Sequence, residues 1–363
     1  MFGTSSSLPI SRRRLLAGAS ALALTVPVAS SARAQSSALS EPPSQPEIAA
    51  VRLGLGGKTA LYHLPLMLAE QLGYFKAEGL QVELQDHAGG GQVTQALVQG
   101  QADVAAGGFE HTIFLRQRGV PCQAFALYGR APQIVLGVST RVWPDFHGLY
   151  QLRGRRVGVS SLGASTHWLA QVVLARANMA SDSVEFVSVG TGLAAVMALR
   201  EGRVDALSNT DPAISALEFS GQLRVLSDMR SLRGTQDVFG GLMPGGCLYA
   251  PQDFVQRHPK TLQALTNAVV RALTWLQTAG PSDLVRVVPE TYMQGDRAVY
   301  LAAFEKAREG FSPDGLFSEG GVRTAWRAVA RYGHRTEALP PVGLSRLFYT
   351  NEFTQRAKQR FQT

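Results

Sequence analysis

One block of this sequence occurs twice. Ala96-Leu97-x-x-Gly100-x-x-Asp103-Val104 returns as Ala198-Leu199-x-x-Gly202-x-x-Asp205-Ala206. Each copy reads as a helix that stops at glycine, a turn, and a strand that starts after aspartate. Each also follows a strand–loop–helix unit, beginning near Val51 and near Val157. Two matching α/β units constrain the chain to two lobes of like build, and clefts between lobes are preferred ligand sites.

The flanking pattern agrees. Strands are expected at 49–55, 80–84, 103–106, 122–128 and 133–138, with helices at 62–72, from Gly89 to Gly100, and at 109–117. The series restarts with a strand at 156–160 and a helix at 164–177, then strands at 184–189, 205–208 and 223–226 separated by helices. Strands alternating with helices of this length indicate parallel α/β sheets. After Tyr249 the pattern is mostly helical, with Pro251, Pro259 and Pro281 marking helix starts.

The first 34 residues read as an export leader: Arg12-Arg13-Arg14, an apolar stretch to about Val28, and Ala32-Arg33-Ala34 as an A-x-A end. The twin arginines indicate the Tat route, with cleavage near Ala34 and the periplasm as destination. Residues 35–47, rich in Ser, Pro, Gln and Glu, are expected to be a flexible linker. Four of the arginines and no Asp or Glu lie in the leader, so half of the net charge of +8 belongs there. The remaining basic residues are scattered, which removes the support for a nucleic-acid partner. With only Cys122 and Cys247, a disulfide scaffold and a Cys-rich metal site are excluded. Whether the two are bonded or are buried strand thiols is open at this level.

Enzyme motifs fail one by one. Gly57-Lys58-Thr59 resembles the end of a P-loop, but Arg52 stands where its first glycine belongs. A dinucleotide fingerprint from Gly54 would need glycine where Thr59 stands. Gly163-Ala164-Ser165-Thr166-His167 looks like a nucleophile beside a base, yet neighbours in sequence at a helix start do not face each other. Its small residues suit an open helix N-terminus, with Ser165 as either a ligand hydroxyl or a simple N-cap.

Pro65-x-x-x-Ala69-x-x-x-Gly73-Tyr74-Phe75-x-x-Glu78-Gly79-Leu80-x-Val82 resembles the opening signature of substrate-binding proteins of ABC importers, of the nitrate/sulfonate/taurine and thiamine-pyrimidine-binding type. Gly100-x-x-Asp103-Val104, Leu152-Arg153-Gly154-Arg155-Arg156-Val157-Gly158-Val159, Gly202-x-x-Asp205-Ala206 and Asp211-Pro212 follow in the order of that family's later blocks. The resemblance implies two Rossmann-like lobes joined by two crossover strands, a type II periplasmic binding protein. Lobe one would comprise 48–136 and 248–363, and lobe two 137–247. It also implies a monomeric carrier rather than an enzyme, with no cofactor. The carrier would hand a small solute to an inner-membrane permease served by a cytoplasmic ATPase. The solute would be a sulfonate-, taurine- or nitrate-like anion or a pyrimidine-like heterocycle. The alternatives are a pyrimidine synthase like some relatives, with His63 in the loop of their functional histidine, and a sensing partner of a membrane receptor.

In open α/β lobes, ligands sit at the carboxyl ends of strands. That rule selects Thr59, Tyr62 and His63 after the first strand, and Gly107, Gly108, Phe109 and Glu110 after the third. In lobe two it selects Gly163, Ser165 and Thr166, then Asn209, Thr210 and Asp211. Gly89 to Gly91 and Thr191-Gly192 also open helices and offer backbone donors. Helix N-termini and hydroxyls suit an anion, to which His63 would add a proton and a charge. Glu110 suits a cation or an amino group if it faces the cleft; as a helix-start charge it would face solvent, the reading favoured here. Phe109 and Tyr62 are candidates for stacking or for core, and Asp211 reads first as a helix N-cap. No pair among His63, His87, His111, His147 and His167 has ligand spacing with a carboxylate, so no metal site is expected.

Overall fold

The computed structural model describes residues 45–333 and 344–362. The expected leader, its cleavage point and the linker as far as residue 44 lie outside the described residues. The chain begins β1 (Ala50–Gly56), α1 (Leu64–Gln71), α2 (Tyr74–Ala77), β2 (Gln81–His87), α3 (Gly90–Val98), β3 (Val104–Gly108), α4 (Glu110–Gln117) and β4 (Cys122–Leu127). It crosses to β5 (Ile134–Ser139), β6 (Arg156–Val159), α5 (Ser165–Arg176), β7 (Glu185–Ser188), α6 (Gly192–Arg200), β8 (Ala206–Thr210), α7 (Ala213–Phe219) and β9 (Leu223–Asp228). After α8 (Leu232–Phe239) it returns as β10 (Gly246–Pro251) and continues in helices. These are α9 (Gln252–Arg257), α10 (Pro259–Thr278), α11 (Pro281–Val287), α12 (Arg297–Ala307), α13 (Glu319–Tyr332) and α14 (Glu352–Phe361).

Two five-stranded sheets result, in the orders β2-β1-β3-β10-β4 and β7-β6-β8-β5-β9. Each has the same plan. Three strands run parallel, and the fourth, β10 or β5, runs antiparallel to both its neighbours. The α/β two-lobed class is therefore as expected. The boundaries drawn from sequence at 136/137 and 247/248 fall inside β5 and β10, each of which belongs whole to one sheet. The passages between sheets are residues 128–133 and 229–245, and they lie side by side. Gln133 N–H donates to Met229 O, Met229 N–H to Ile134 O, and Gly245 N–H to Gly129 O.

The sequence repeat has a physical counterpart. Asp103 N–H donates to Arg52 O while Arg52 N–H donates to the Asp103 carboxylate, both at 2.9 Å. Asp205 and Arg156 make the same exchange at 2.8 and 3.0 Å. In both lobes the arginine side chain completes the clip. The aspartate thus sets the register in which the strand after the helix joins the strand before it. Gly100 and Gly202 take φ of 68° and 70°, the left-handed turn that stops each helix and that side chains disfavour.

Two expectations change locally. The helix expected at 62–72 is a 3-10 turn at Leu61–His63 followed by α1, because Pro65 belongs in a first helical turn. The linker expected to run to 47 ends earlier. The Glu47 carboxylate accepts from the backbone N–H groups of Lys260 and Thr261 at the start of α10. Those bonds outweigh burial and hold its carboxyl below the usual range.

One apolar core packs α1 and α10 on the first sheet, through residues such as Leu66, Leu265 and Leu273. A second runs from Phe109 and Ile113 through Leu136 to Trp168 and Leu169, tying the lobes together. A third lies under α6 and α7. Cys122 and Cys247 are free and buried, in register with Pro251 and Leu127 rather than with each other. Burial pushes the Cys122 thiol up to about 12.

At the start of the second crossover, the Arg230 guanidinium is 4% exposed and pairs with Asp211, Glu218 and Asp228. Removing it strands the buried Asp211 carboxylate. Arg230→Met should therefore destabilise the fold by about 3–5 kcal/mol, read as a lowered urea midpoint. An unchanged midpoint would show the network to be dispensable.

Candidate functional site

The carboxyl ends of β1 and β3 face those of β6 and β8 across a cavity of about 40 Å³. The first lobe lines it with Gly56, Ala60, Tyr62, His63, Gly90, Ala106, Gly107, Gly108 and His111. The second supplies Ile134, Ser160, Ala164, Ser165, Thr166, Thr191 and Thr210. The lobes touch around it. Leu61 N–H donates to Asp211 O at 2.8 Å, and Gly91 N–H to Ser161 Oγ at 3.1 Å. A Cβ on Gly57 would collide with Thr191. In this closed arrangement the cavity holds only a few atoms, so a larger solute must enter with the lobes apart.

Three helix starts point at this space. The N-cap positions of α3, α5 and α6 are Gly89, Ala164 and Thr191, and none of these residues caps its helix through its own side chain, although Ser161 Oγ of the opposite lobe takes the Gly91 N–H of α3. By contrast α8, α12 and α13 are capped by Ser231, Asp296 and Ser318. The first N–H groups of a helix need an acceptor from outside the helix, and three such starts around one cavity concentrate partial positive charge there.

Of the residues expected from sequence, Tyr62, His63, Gly107, Gly108, Ser165, Thr166 and Thr210 line the cavity, as do Gly90 and Thr191 of the helix starts. Ser165 is not an N-cap. Ala164 is extended and takes that place, leaving Ser165 Oγ at 3.4 Å from His111 Nε2 of the opposite lobe. Thr166 Oγ1 accepts from Ser160 N–H at 3.0 Å and fixes the end of β6. The others stand elsewhere. Thr59 Oγ1 accepts from Gln294, and Gly163 is exposed. Phe109 turns inward and packs on Phe317, with ring centroids 5.5 Å apart, so it belongs to the core. Asn209 bonds to Gly190 O. Asp211 accepts from Ser215 N–H at the start of α7, a helix-start role as expected.

Two electrostatic expectations are overturned. Glu110 does not face solvent: it is 3% exposed, because α4 begins inside the interface of the lobes. His63 does not bring a charge. It is buried with Nδ1 at 3.1 Å from Tyr128 Oη, and burial lowers its value to about 3, against a hydrogen bond to the Gly56 backbone. His111 went unselected in the sequence, although it follows Glu110 in the first turn after β3, where the strand-end rule applies. Burial lowers its value too, with the neighbouring Glu110 opposing. Burial also keeps the Tyr62, Tyr128 and Tyr249 phenols neutral. The cavity is thus lined by hydroxyls, neutral imidazoles and helix starts, and by no Lys or Arg.

The buried imidazoles imply a pH dependence. Their folded values lie below the ordinary 6.5, so the unfolded chain takes up protons first as pH falls. Their contribution is full above 6.5 and, for His63, is lost as pH falls toward about 3. Its slope approaches about 1.4 kcal/mol per pH unit. Urea midpoints measured from about pH 7.5 to 4.5 should fall more steeply for the native chain than for His63→Gln. Equal slopes would contradict a neutral, buried His63.

Comparison with known proteins places this geometry. Residues 60–280 match the family described as NMT1/THI5 like. A solved structure from Bordetella bronchiseptica RB50 is 46% identical, with a TM-score of 0.86 over 88% of this chain and 100% of that one. The alkanesulfonate-binding protein SsuA from Xanthomonas axonopodis pv. citri, bound to MOPS, is 20% identical, with a TM-score of 0.64 over 84% and 99%. Among curated proteins, a 4-amino-5-hydroxymethyl-2-methylpyrimidine phosphate synthase of Saccharomyces cerevisiae is 24% identical over 80% of this chain and 84% of its own. The fold is that of the periplasmic binding proteins, and the chain belongs to the NMT1/THI5-like family.

Proposed function

We propose that this chain is the solute-binding component of an ABC importer. After export to the periplasm it takes up a small solute as a monomer, closes its lobes on it, and presents it to an inner-membrane permease driven by a cytoplasmic ATPase. The observation that carries this reading is the meeting of three helix starts, one from the first lobe and two from the second, at a single cavity lined by both lobes. A ligand that touches both lobes only when they are closed draws the open–closed equilibrium toward closure. The similarity in fold to alkanesulfonate- and nitrate-binding proteins supports the same reading. The solutes in view are sulfonate-, taurine- or nitrate-like anions and pyrimidine-like heterocycles.

A second reading, a pyrimidine synthase, draws on the curated relatives and on His63 in the cavity wall. Mass spectrometry separates the two. A carrier returns its solute unchanged after incubation, whereas an enzyme does not.

A thermal-shift screen over alkanesulfonates, taurine, nitrate and aminopyrimidines should yield a stabilising ligand, by about 2.7 kcal/mol at one hundred times its dissociation constant. Solution scattering should show the protein compacting on saturation. Ser165→Ala should weaken that ligand about tenfold, the worth of one hydrogen bond at the site. A saturating ligand that leaves the radius of gyration unchanged would refute the carrier mechanism.

A further inference from the structure

Two glycines end β3. Gly107 and Gly108 line the cavity, and at Gly108 polar atoms stand where a side chain would be. A Cβ on Gly108 would collide with both carboxylate oxygens of Glu110 and with Ser165 Oγ. A Cβ on Gly107 would lie 3.5 Å from Tyr249 Oη. Glu110 is 3% exposed, Tyr249 0% and Thr210, on the opposite lobe, 7%. Glu110 Oε1, Tyr249 Oη and Thr210 Oγ1 have no hydrogen-bond partner among the described residues. His111 Nε2 comes no nearer to Glu110 Oε1 than 4.0 Å, beyond hydrogen-bond range. A buried polar atom left unpaired costs about 1–3 kcal/mol, and native structures carry few of them. Thr210 lines the cavity, and Glu110 and Tyr249 stand beside Gly108 and Gly107, which line it too, so the three mark places where a guest is expected to bond.

Their chemistry differs from that of the helix starts. Backbone N–H groups call for an acceptor. The Glu110 carboxyl oxygens are acceptors, so they call for a donor, and among the described residues no cation of the lining provides one. Building on the solute-binding reading above, we infer that the solute is bifunctional. It carries an N–H donor group, such as an amine or a ring amino group, that meets Glu110. It also carries an acceptor group, such as a sulfonate or a ring nitrogen, that meets the helix starts. A simple inorganic anion does not satisfy this wall, because it sets one acceptor against another. The missing side chain at Gly108 is what lets Glu110 reach the solute.

Matched probes test this on the full chain by calorimetry: taurine against ethanesulfonate, and 4-amino-2-methylpyrimidine against 2,4-dimethylpyrimidine. In at least one pair the amino member should bind about tenfold tighter or better, and Glu110→Gln should bring the ratio below about threefold. The preference of the native chain decides the matter if the variant fails to fold. Equal or tighter binding of the amino-free members overturns the inference and leaves the carrier reading standing. An amino preference without compaction in scattering supports the inference and refutes the carrier. If no probe binds, solute extracted from the purified protein decides. A compound bearing N–H supports the inference, and one without it, or no solute at all, overturns it.

Discussion

One buried guanidinium holds the second half of the cleft in place. Arg230 follows Met229, whose C=O accepts from Gln133 of the first crossover and whose N–H donates to Ile134 at the start of β5. From there its side chain reaches the carboxylates of Asp211, Glu218 and Asp228. Asp211 offers its backbone carbonyl to Leu61 of the first lobe, and Glu218 pairs at 3.2 Å with Lys306 of α12. Crossover, cleft rim and the outer contact between lobes therefore share one cation. Burial pushes the Asp211 carboxyl up, and Arg230 with Ser215 pulls against that shift. Such a cluster favours one geometry of the rim over its neighbours, because every partner lost would leave a charge desolvated.

The cavity itself works with the opposite economy. It concentrates partial charges on backbone N–H groups, hydroxyls and neutral imidazoles, with the Glu110 carboxyl oxygens beside Gly108 of the lining. Dipoles fixed by helices and strand ends need no counter-ion and no reorganisation when a guest arrives. Binding then depends on how well the guest's own donors and acceptors match those positions. That match, more than overall charge, is where selectivity between related solutes would arise.

Much of the architecture was legible in the sequence, for reasons visible in particular residues. The repeated Gly-x-x-Asp marks real junctions because Gly100 and Gly202 must turn left-handed and because Asp103 and Asp205 clip the preceding strand. The arginine half of that clip, Arg52 and Arg156, was not read, since it lies about 50 residues upstream of its partner. The strand-end rule found Tyr62, His63, Gly108, Ser165 and Thr166, because position along a strand follows from periodicity. It does not give the direction of a side chain one residue later. Phe109 turns to the core while His111 turns to the cleft, and neither the burial of Glu110 nor the lowered value of His63 follows from local pattern. Those are set by the opposite lobe, which only the tertiary fold brings near.

The interleaving of the sheets bears on how the chain matures. All five strands of the second sheet come from one continuous stretch, β5 to β9, so that sheet can assemble as soon as the stretch is made. The first sheet cannot. Its fourth position is β10, which separates β3 from β4, and β10 follows the whole of the other lobe in sequence. α10 and α14, which cover that sheet's face, come later still. Until residue 251 has been synthesised, β3 and β4 present open edges that invite wrong pairing. The lobe that begins the polypeptide is thus the last to be finished, and the pairing of β10 with β3 across the whole other lobe is a slow, non-local step.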